Sequence, residues 1–150
     1  MEEAGTTDGP FVLALSRRED VERSFAVMQQ LRPQLTAETY VDTIERLRAS
    51  GFRLAAVRVG EELVAVAGYR FAESLAWGRH CYIDDFVTLD PIRSRGHGQL
   101  LLDWLKAEAR ANGCQSIQLD SGVQRFDAHR FYFRERMKIS SYHFTRPLKG

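Results

Sequence analysis

The sequence predicts an α/β protein, because strand-like and helix-like segments alternate along its 150 residues. The predicted order is one strand, two helices and three strands, followed by helix, strand, helix and strand. In the central strand–helix–strand segment, the helix that connects the two strands favours their parallel pairing. The length and an apolar content of 44% are typical of one domain with its own core. We expect a flexible N-terminus over residues 1–10 and a single domain over residues 11–150.

Each element follows from a local pattern. Helices are predicted where apolar residues recur every three or four positions, and strands where apolar or β-branched residues run together. Pro33 ends the first helix, and Gly51 and Gly113 follow the second and third. Asp127 is expected to cap the fourth. The predicted strands cover residues 11–15, 52–59, 63–71, 80–89, 116–121 and 140–146, and the predicted helices cover residues 21–31, 36–50, 98–112 and 128–136.

Composition and charge exclude several classes of protein. A formal net charge of +1 gives no field that would attract nucleic acid or an acidic membrane. No apolar run approaches the roughly 18 residues that a membrane span needs, and the N-terminus has no secretory pattern, so we expect a cytoplasmic protein. Cys81 and Cys114 lack metal-site spacing, which predicts reduced thiols and no metal.

One segment carries a chemical signal. The stretch Arg93-Ser94-Arg95-Gly96-His97-Gly98 lies between a predicted strand and a strongly apolar helix. Its glycines allow close approach of the backbone to a ligand, and the helix start offers unpaired N–H groups with partial positive charge. This arrangement predicts a phosphate or pyrophosphate site. The alternative is a glycine turn with two solvated arginines. GxxxxGK[ST] and GxGxxG are both absent, which argues against P-loop and dinucleotide-binding folds.

Two motifs on these elements resemble the GNAT superfamily of N-acetyltransferases. Arg93-x-x-Gly96-x-Gly98 is similar to its acyl-CoA pyrophosphate loop, and Ala128 followed four residues later by Tyr132 is similar to its later helix. Residues 121–148 are also similar in layout to aminoalkylphosphonate N-acetyltransferases. The resemblance implies a mixed central sheet of six to seven strands flanked by about four helices. It further implies transfer of an acetyl group from acetyl-CoA to a primary amine of a small molecule in a ternary complex.

The resemblance also assigns roles to residues. Tyr132 would lie near the thioester sulfur, and Arg93 would assist the pyrophosphate loop. The strand edge that would bind the pantetheine arm consists of Phe86, Val87 and Thr88. The loop and helix start that would hold the pyrophosphate consist of Arg93, Ser94, Arg95, Gly96, His97, Gly98, Gln99 and Leu100.

Amide formation from a thioester needs an acid and a base. Tyr132, whose reference pKa is about 10, is protonated at neutral pH and can donate to the departing thiolate. The alternative for Tyr132 is a core aromatic beside Phe131. A strand N–H near Val87 could polarise the thioester carbonyl.

The base candidates are Asp84 and Asp85, which interrupt an apolar strand. Desolvation would raise the pKa of either carboxyl, and a bulge would redirect one of them. The alternative is an ion pair with a neighbouring strand. Family members that use a strand glutamate as base carry it at the position of Tyr82, so a water relay through Asp84, Tyr82 or a backbone carbonyl stays open.

Arg125 replaces an Asn that many members use to contact pantetheine. It is a candidate ligand of a CoA phosphate or of an anionic substrate, and the alternative is a solvated loop arginine. Arg130 and Arg134 would favour an anionic amine if they line the cleft. Two other functions stay open: acetylation of a peptide or protein amine, and a CoA-binding sensor without catalysis. The apolar strand predicted at residues 140–144 could pair two copies into a homodimer.

Overall fold

The computed structural model describes residues 9–89 and 96–150. Most of the flexible N-terminus predicted over residues 1–10 therefore lies outside the described residues. The elements run in the predicted order up to the fourth helix. They are β1 (Phe11–Ala14), α1 (Arg18–Leu31), α2 (Ala37–Arg48), β2 (Arg53–Val59), β3 (Glu62–Ser74), β4 (Gly78–Thr88), α3 (His97–Ala111), β5 (Ser116–Leu119) and α4 (Phe126–Arg134).

The five strands form one mixed sheet in the order β1-β2-β3-β4-β5. The first three pairings are antiparallel. At the last pairing, the N–H of Gln115 donates to the carbonyl of Arg79 at 2.8 Å, so β5 starts beside the start of β4. An antiparallel β5 would run off the beginning of β4, and the two strands are therefore parallel, as the strand–helix–strand pattern predicts.

The prediction of six to seven strands is wrong, because the described residues form five. Residues 140–146, predicted as the last strand, have no regular structure, and Tyr142 and Phe144 are 84% and 91% exposed. Alternating apolar residues give a segment strand propensity, but a strand forms only where a sheet edge accepts its backbone. The predicted cap is also wrong: α4 starts at Phe126, so Asp127 lies in its first turn.

The sheet is buried on both faces. On one face, apolar residues of α1 and α2 such as Val21 and Ile44 form a cluster with Leu54 and Val66 of the sheet. Within it, the Ser24 and Tyr40 hydroxyls form a buried hydrogen bond of 2.8 Å. On the other face, α3 packs against β1 to β4 through leucines that are at most 1% exposed: Leu101, Leu102 and Leu105. Strands that are covered on both faces have nearly continuous runs of apolar residues in their sequences, and β2 and β3 show this pattern.

The chain separates into two compact units, Met1–Gln118 and Leu119–Gly150. The first contains the core just described. The second contains α4 and the irregular residues after it. No described helix is long and apolar enough to cross a membrane. Cys81 is a buried thiol and Cys114 a half-buried one, and no cluster of metal-binding side chains occurs among the described residues.

Candidate active site

The strand that carries the two aspartates contains a β-bulge. Gly68 of β3 pairs with Asp85, whereas the next residue, Tyr69, pairs with Ile83. Asp84 is therefore the extra residue of β4, and the strand contains the kind of bulge that would redirect one of the two acids. Without the bulge, strand alternation would place the Asp85 side chain on the same face of the sheet as Ile83. The extra residue interrupts that alternation and bends the strand at this point.

Asp85 is held by an arginine from the end of α1. The Nε and Nη2 atoms of Arg32 each lie 2.9 Å from Asp85 Oδ1, and Nη2 also donates to the backbone carbonyl of Asp84 at 2.9 Å. The Asp85 side chain is 15% exposed, and burial raises the pKa of its carboxyl even though the hydrogen bond from Arg32 opposes that rise. Arg32 thus fixes both the carboxylate and the carbonyl of the bulged residue.

Asp84 pairs with the neighbouring strand. The Nε of Arg70 in β3 lies 2.8 Å from Asp84 Oδ2, and its guanidinium carbon lies 5.4 Å from the centre of the Phe52 ring. The ion pair considered for these acids on the basis of the sequence is therefore present at Asp84.

Gly68 makes room for this arrangement. A Cβ atom at this position would lie 2.5 Å from Asp85 Oδ2 and even closer to the ring of Phe52. Both distances are below any normal contact, so a side chain here would displace the ring or the carboxylate. The close approach explains why a glycine stands inside a long central strand.

The end of β4 continues beyond β5. Because β5 starts beside Arg79 and has four residues, it ends well before Thr88. The N–H of Leu89 donates to the carbonyl of Val64, so by strand alternation the N–H of Val87 also faces β3. The amides that face the opposite edge are those of Phe86 and Thr88. An N–H close to Val87 is therefore directed outward, but it is not that of Val87 itself.

The start of α3 has the local features of an anion site. Gly96 caps the helix with a φ of 83°, in the left-handed region that suits glycine. The N–H of Leu100 donates to the carbonyl of Gly96 at 3.1 Å, so the amides of His97, Gly98 and Gln99 precede the first intrahelical bond. His97 is 7% exposed, and its Nδ1 has no hydrogen-bond partner among the described residues. Amides of this kind and an orphaned ring nitrogen fit a phosphate. Arg93, Ser94 and Arg95 lie outside the described residues.

The helix of the C-terminal unit buries one phenol. Tyr132 is 8% exposed, and Arg125, at the N-cap of α4, donates a hydrogen bond to its hydroxyl oxygen. Burial raises the pKa of Tyr132, although the charge and hydrogen bond of Arg125 act in the opposite direction. Tyr132 is therefore protonated at neutral pH. The neighbouring arginines have other partners: Arg130 pairs with Asp127 at 2.5 Å, and Arg134 lies 5.6 Å from the Phe131 ring centre.

The sequence did not reveal the partners of the candidate residues. Arg32 is 53 positions from Asp85, and nothing in its surroundings distinguishes it from the other arginines of α1 and α2. Arg70 and Arg125 are closer to their partners, but the sequence predicts for Arg125 a CoA phosphate, an anionic substrate or solvent as its partner, and not Tyr132. Side-chain pairing across elements depends on register and helix docking, which a local pattern does not contain.

Comparison with known proteins bears on the family. The model of the acetyltransferase (GNAT) family matches residues 18–137. An uncharacterized N-acetyltransferase, YhdJ, of Bacillus subtilis (strain 168) is 36% identical over 136 residues, which cover 89% of this chain and 96% of that protein. An aminoalkylphosphonate N-acetyltransferase of Salmonella typhimurium is 42% identical over 66 residues, covering 44% of this chain and 43% of that protein.

A solved structure shows the same fold. The crystal structure of a transcriptional regulator from Bacillus halodurans C-125 superimposes with a TM-score of 0.82, covering 93% of this chain and all of that one. Its sequence identity of 23% shows similarity of fold alone. The family model and the B. subtilis relative both span most of the chain, and the chain therefore belongs to the GNAT family of N-acetyltransferases.

Proposed function

We propose that the protein transfers the acetyl group of acetyl-CoA to the primary amine of a small molecule within a ternary complex. The observation that carries this proposal is the buried phenol of Tyr132, to which the resemblance assigns the role of general acid. The helix start at Gly96 and the outward edge of β4 support a site for the acetyl donor in the N-terminal unit.

The pyrophosphate of the donor would be held at the start of α3. The amides of His97, Gly98 and Gln99 would donate to its oxygens, and the helix dipole would add to their attraction. The orphaned Nδ1 of His97 offers one further polar group in the same turn. Arg93, Ser94 and Arg95 precede this turn in the sequence; the two arginines would contribute positive charge and Ser94 a hydroxyl. Leu100 is assigned a smaller part than the sequence predicts, because its N–H is already bonded.

The pantetheine arm would align with the strand edge of Phe86, Val87 and Thr88. On that edge the outward amides are those of Phe86 and Thr88, so we assign the polarisation of the thioester carbonyl to one of them. Acetyl-CoA supplies the activated acetyl thioester. The chain supplies the alignment of that thioester with the amine, which converts a bimolecular encounter into a reaction between neighbours.

Tyr132 would donate the proton that the departing thiolate needs. Its hydroxyl accepts a hydrogen bond from Arg125, which holds the phenol in place. Arg125 is therefore assigned a positioning role, in place of the direct contact with cofactor or substrate that its place in the motif suggests.

Asp85 would take the proton that the ammonium substrate must lose. A carboxyl with a raised pKa is a better base than one with an ordinary value, and Asp85 has that property through burial. Arg32 opposes the rise and keeps the carboxylate ionised in a fixed orientation. Asp84, paired with Arg70, would act indirectly by maintaining the bulge.

A small amine is favoured over a peptide amine by one specific relation. The Salmonella relative, 42% identical over 66 residues, is named for acetylation of aminoalkylphosphonates, which are small anionic amines. An anionic amine would also need a basic residue in the acceptor site, and the Arg32 side chain is 42% exposed beside Asp85. Acetylation of a peptide or protein amine is the second candidate.

An amine panel tests the proposal. Release of free CoA thiol from acetyl-CoA would be followed with aminoalkylphosphonates, matched aminoalkanes without the phosphonate, polyamines, amino acids and peptides. We expect release only with small primary amines, and a higher kcat/KM for an aminoalkylphosphonate than for its matched alkylamine. A preference for peptides would replace the small-molecule acceptor with a protein. Equal kcat/KM values for the two matched amines would remove the role of the anion.

A further inference from the structure

The Arg32 guanidinium uses only part of its hydrogen-bonding capacity to hold Asp85. Its Nε and Nη2 atoms make the contacts with Asp85 Oδ1 and with the carbonyl of Asp84. Nη1 carries two of the five N–H donors of a guanidinium and has no partner among the described residues. It is not one of the described polar atoms that are both buried and unpaired, and the Arg32 side chain is 42% exposed. Two donors beside the candidate base are therefore open to a ligand.

An open guanidinium edge selects an anion. Arginine is permanently charged and cannot accept a hydrogen bond, so its remaining donors fit a carboxylate, a sulfonate or a phosphonate. Arg70 is a poorer candidate, because its Nε binds Asp84, its side chain is only 29% exposed and its guanidinium lies over the Phe52 ring. Arg32 is therefore the basic residue beside Asp85 that a small anion can reach more directly.

The backbone that carries Arg32 is held on both sides. Its N–H donates to the carbonyl of Met28 at 2.9 Å, and its carbonyl accepts from the N–H of Leu35 at 3.1 Å. The Gln29 side chain, in the last turn of α1, donates to the carbonyl of Leu35 at 3.2 Å. Together with the ion pair to Asp85, these bonds orient the open edge before a ligand arrives, which reduces the entropy cost of binding.

The charged and titratable groups that act on Asp85 come from four elements. Arg32 acts from the end of α1, and Arg70 acts from β3. Asp84 precedes Asp85 in β4, and Tyr40 acts from α2. Burial raises the pKa of Asp85 and the charge of Asp84 adds to the rise, whereas Arg32 lowers it more strongly than Arg70 does. Burial raises the pKa of Tyr40, so this phenol is neutral at pH 7. Arg32 is therefore the cation that limits the basicity of Asp85 most.

We propose that Arg32 binds an anionic group of the acceptor amine and that this contact makes Asp85 a stronger base. An anion on Nη1 offsets part of the guanidinium charge and adds a negative charge of its own, and both changes favour the protonated form of Asp85. The proton that Asp85 then takes is the one that the substrate ammonium loses. Recognition of the anion and activation of the base become one event at one side chain. The catalytic part of this inference rests on the proposed function, whereas the anion site and its effect on Asp85 do not.

NMR of the Asp85 carboxyl carbon tests the link without acetyl-CoA or an amine. The probe is propane-1-sulfonate, which has no amino group and stays ionised throughout the titration. At saturation it should raise the pKa of Asp85 by about 1, because it places one negative charge about 6 Å from the carboxylate. In Arg32→Gln the pKa should already be raised without the probe, and the probe should not change it. Arg23→Gln is the matched control and should respond like the natural protein, because Arg23 lies on the same helix, is 48% exposed and pairs with Glu61.

Arg32→Lys separates the charge of Arg32 from its second edge. Lysine keeps the positive charge but concentrates it on one ammonium group, which cannot hold two anions in the planar geometry of a guanidinium. Without the probe, the pKa of Asp85 in Arg32→Lys should stay closer to that of the natural protein than in Arg32→Gln. The response to propane-1-sulfonate should nevertheless be mostly lost. Circular dichroism should show the natural fold for both variants, and Arg32→Lys alone decides the test if Arg32→Gln does not fold.

Acetyl transfer to a matched pair of amines tests the catalytic consequence. The ratio of kcat/KM for 3-aminopropane-1-sulfonate to that for butylamine should fall by about tenfold or more in Arg32→Gln. Comparison of two proteins cancels the different basicities of the two amines. In the natural protein the acidic limb of kcat should lie at higher pH with the aminosulfonate than with butylamine, and in Arg32→Gln the two limbs should coincide.

The outcomes separate this inference from the proposed function. A natural protein in which propane-1-sulfonate leaves the pKa of Asp85 unchanged would overturn the inference, even if that protein acetylates amines. An Arg32→Gln variant that still responds to the probe, or that keeps the preference for the aminosulfonate, would also overturn it. A natural protein that responds to the probe but acetylates no amine would refute the proposed function and leave the anion site in place.

Discussion

At the scale of single residues, acetyl transfer should depend most on the Tyr132 hydroxyl. Tyr132→Phe should lower kcat by about 10²-fold or more, because it removes the proton donor and leaves the ring in place. Tyr69→Phe is the matched control: Tyr69 is also buried, and burial raises its pKa to about 12, but its ring contacts Phe71 and Trp104. Steady-state kinetics with acetyl-CoA and an amine would measure both variants. Equal losses in the two would assign Tyr132 to packing.

Asp85 should set the acidic limb of the pH profile. Burial raises the pKa of its carboxyl, so the limb of kcat/KM should lie above the value of about 3.9 for a free aspartate. In Asp85→Asn this limb should disappear together with most of the activity. Asp84→Asn, which changes the carboxylate paired with Arg70, should keep the limb. A limb that survives in Asp85→Asn would assign proton removal to another group or to water.

At the scale of elements, the turn that begins α3 should matter for the acetyl donor. Gly96 has a φ of 83° and Gly113, just after the same helix, a φ of 75°. Replacing either by Ala should cost about 1–2 kcal/mol of stability, since L-residues avoid this region. Only Gly96→Ala should also weaken acetyl-CoA binding, measured by calorimetry. Equal acetyl-CoA affinity in the two variants would place the pyrophosphate elsewhere.

The elements show what a local pattern can and cannot predict. The helices α1, α2 and α3 and the strands β1 to β5 have strong periodicity or end at Gly and Pro, and the sequence predicts them to within a few residues. Residues 140–146 have the same alternation but pair with no strand among the described residues, so the strand prediction is wrong there. The bulge at Asp84 is an expectation of the family resemblance alone, because two adjacent acids do not specify an extra residue in a strand. The pairing of Asp85 with Arg32 has no local signal, because it depends on how α1 docks on the sheet.

At the scale of the whole molecule, Asp85 links stability to pH. Its raised pKa means that the folded protein binds this proton more readily than the unfolded chain. The contribution of Asp85 to stability is therefore greatest at low pH and decreases as the pH rises through the window between the unfolded and folded pKa values. The free energy of unfolding, measured in urea, should increase for Asp85→Asn relative to the natural protein from about pH 4 to pH 7. The opposite change would mean that the ion pair with Arg32 lowers the pKa of Asp85 by more than burial raises it.

This member of the GNAT family is proposed to acetylate an amine and not merely to bind CoA. The most direct measurement is a single-turnover experiment in which acetyl-CoA, a saturating small amine and excess protein are mixed and quenched, and the products are measured by mass spectrometry. We expect one N-acetylated amine for each CoA released, with both products falling together in Tyr132→Phe. Tight binding of acetyl-CoA with no acetylated amine would contradict it and would identify the protein as a CoA-binding sensor.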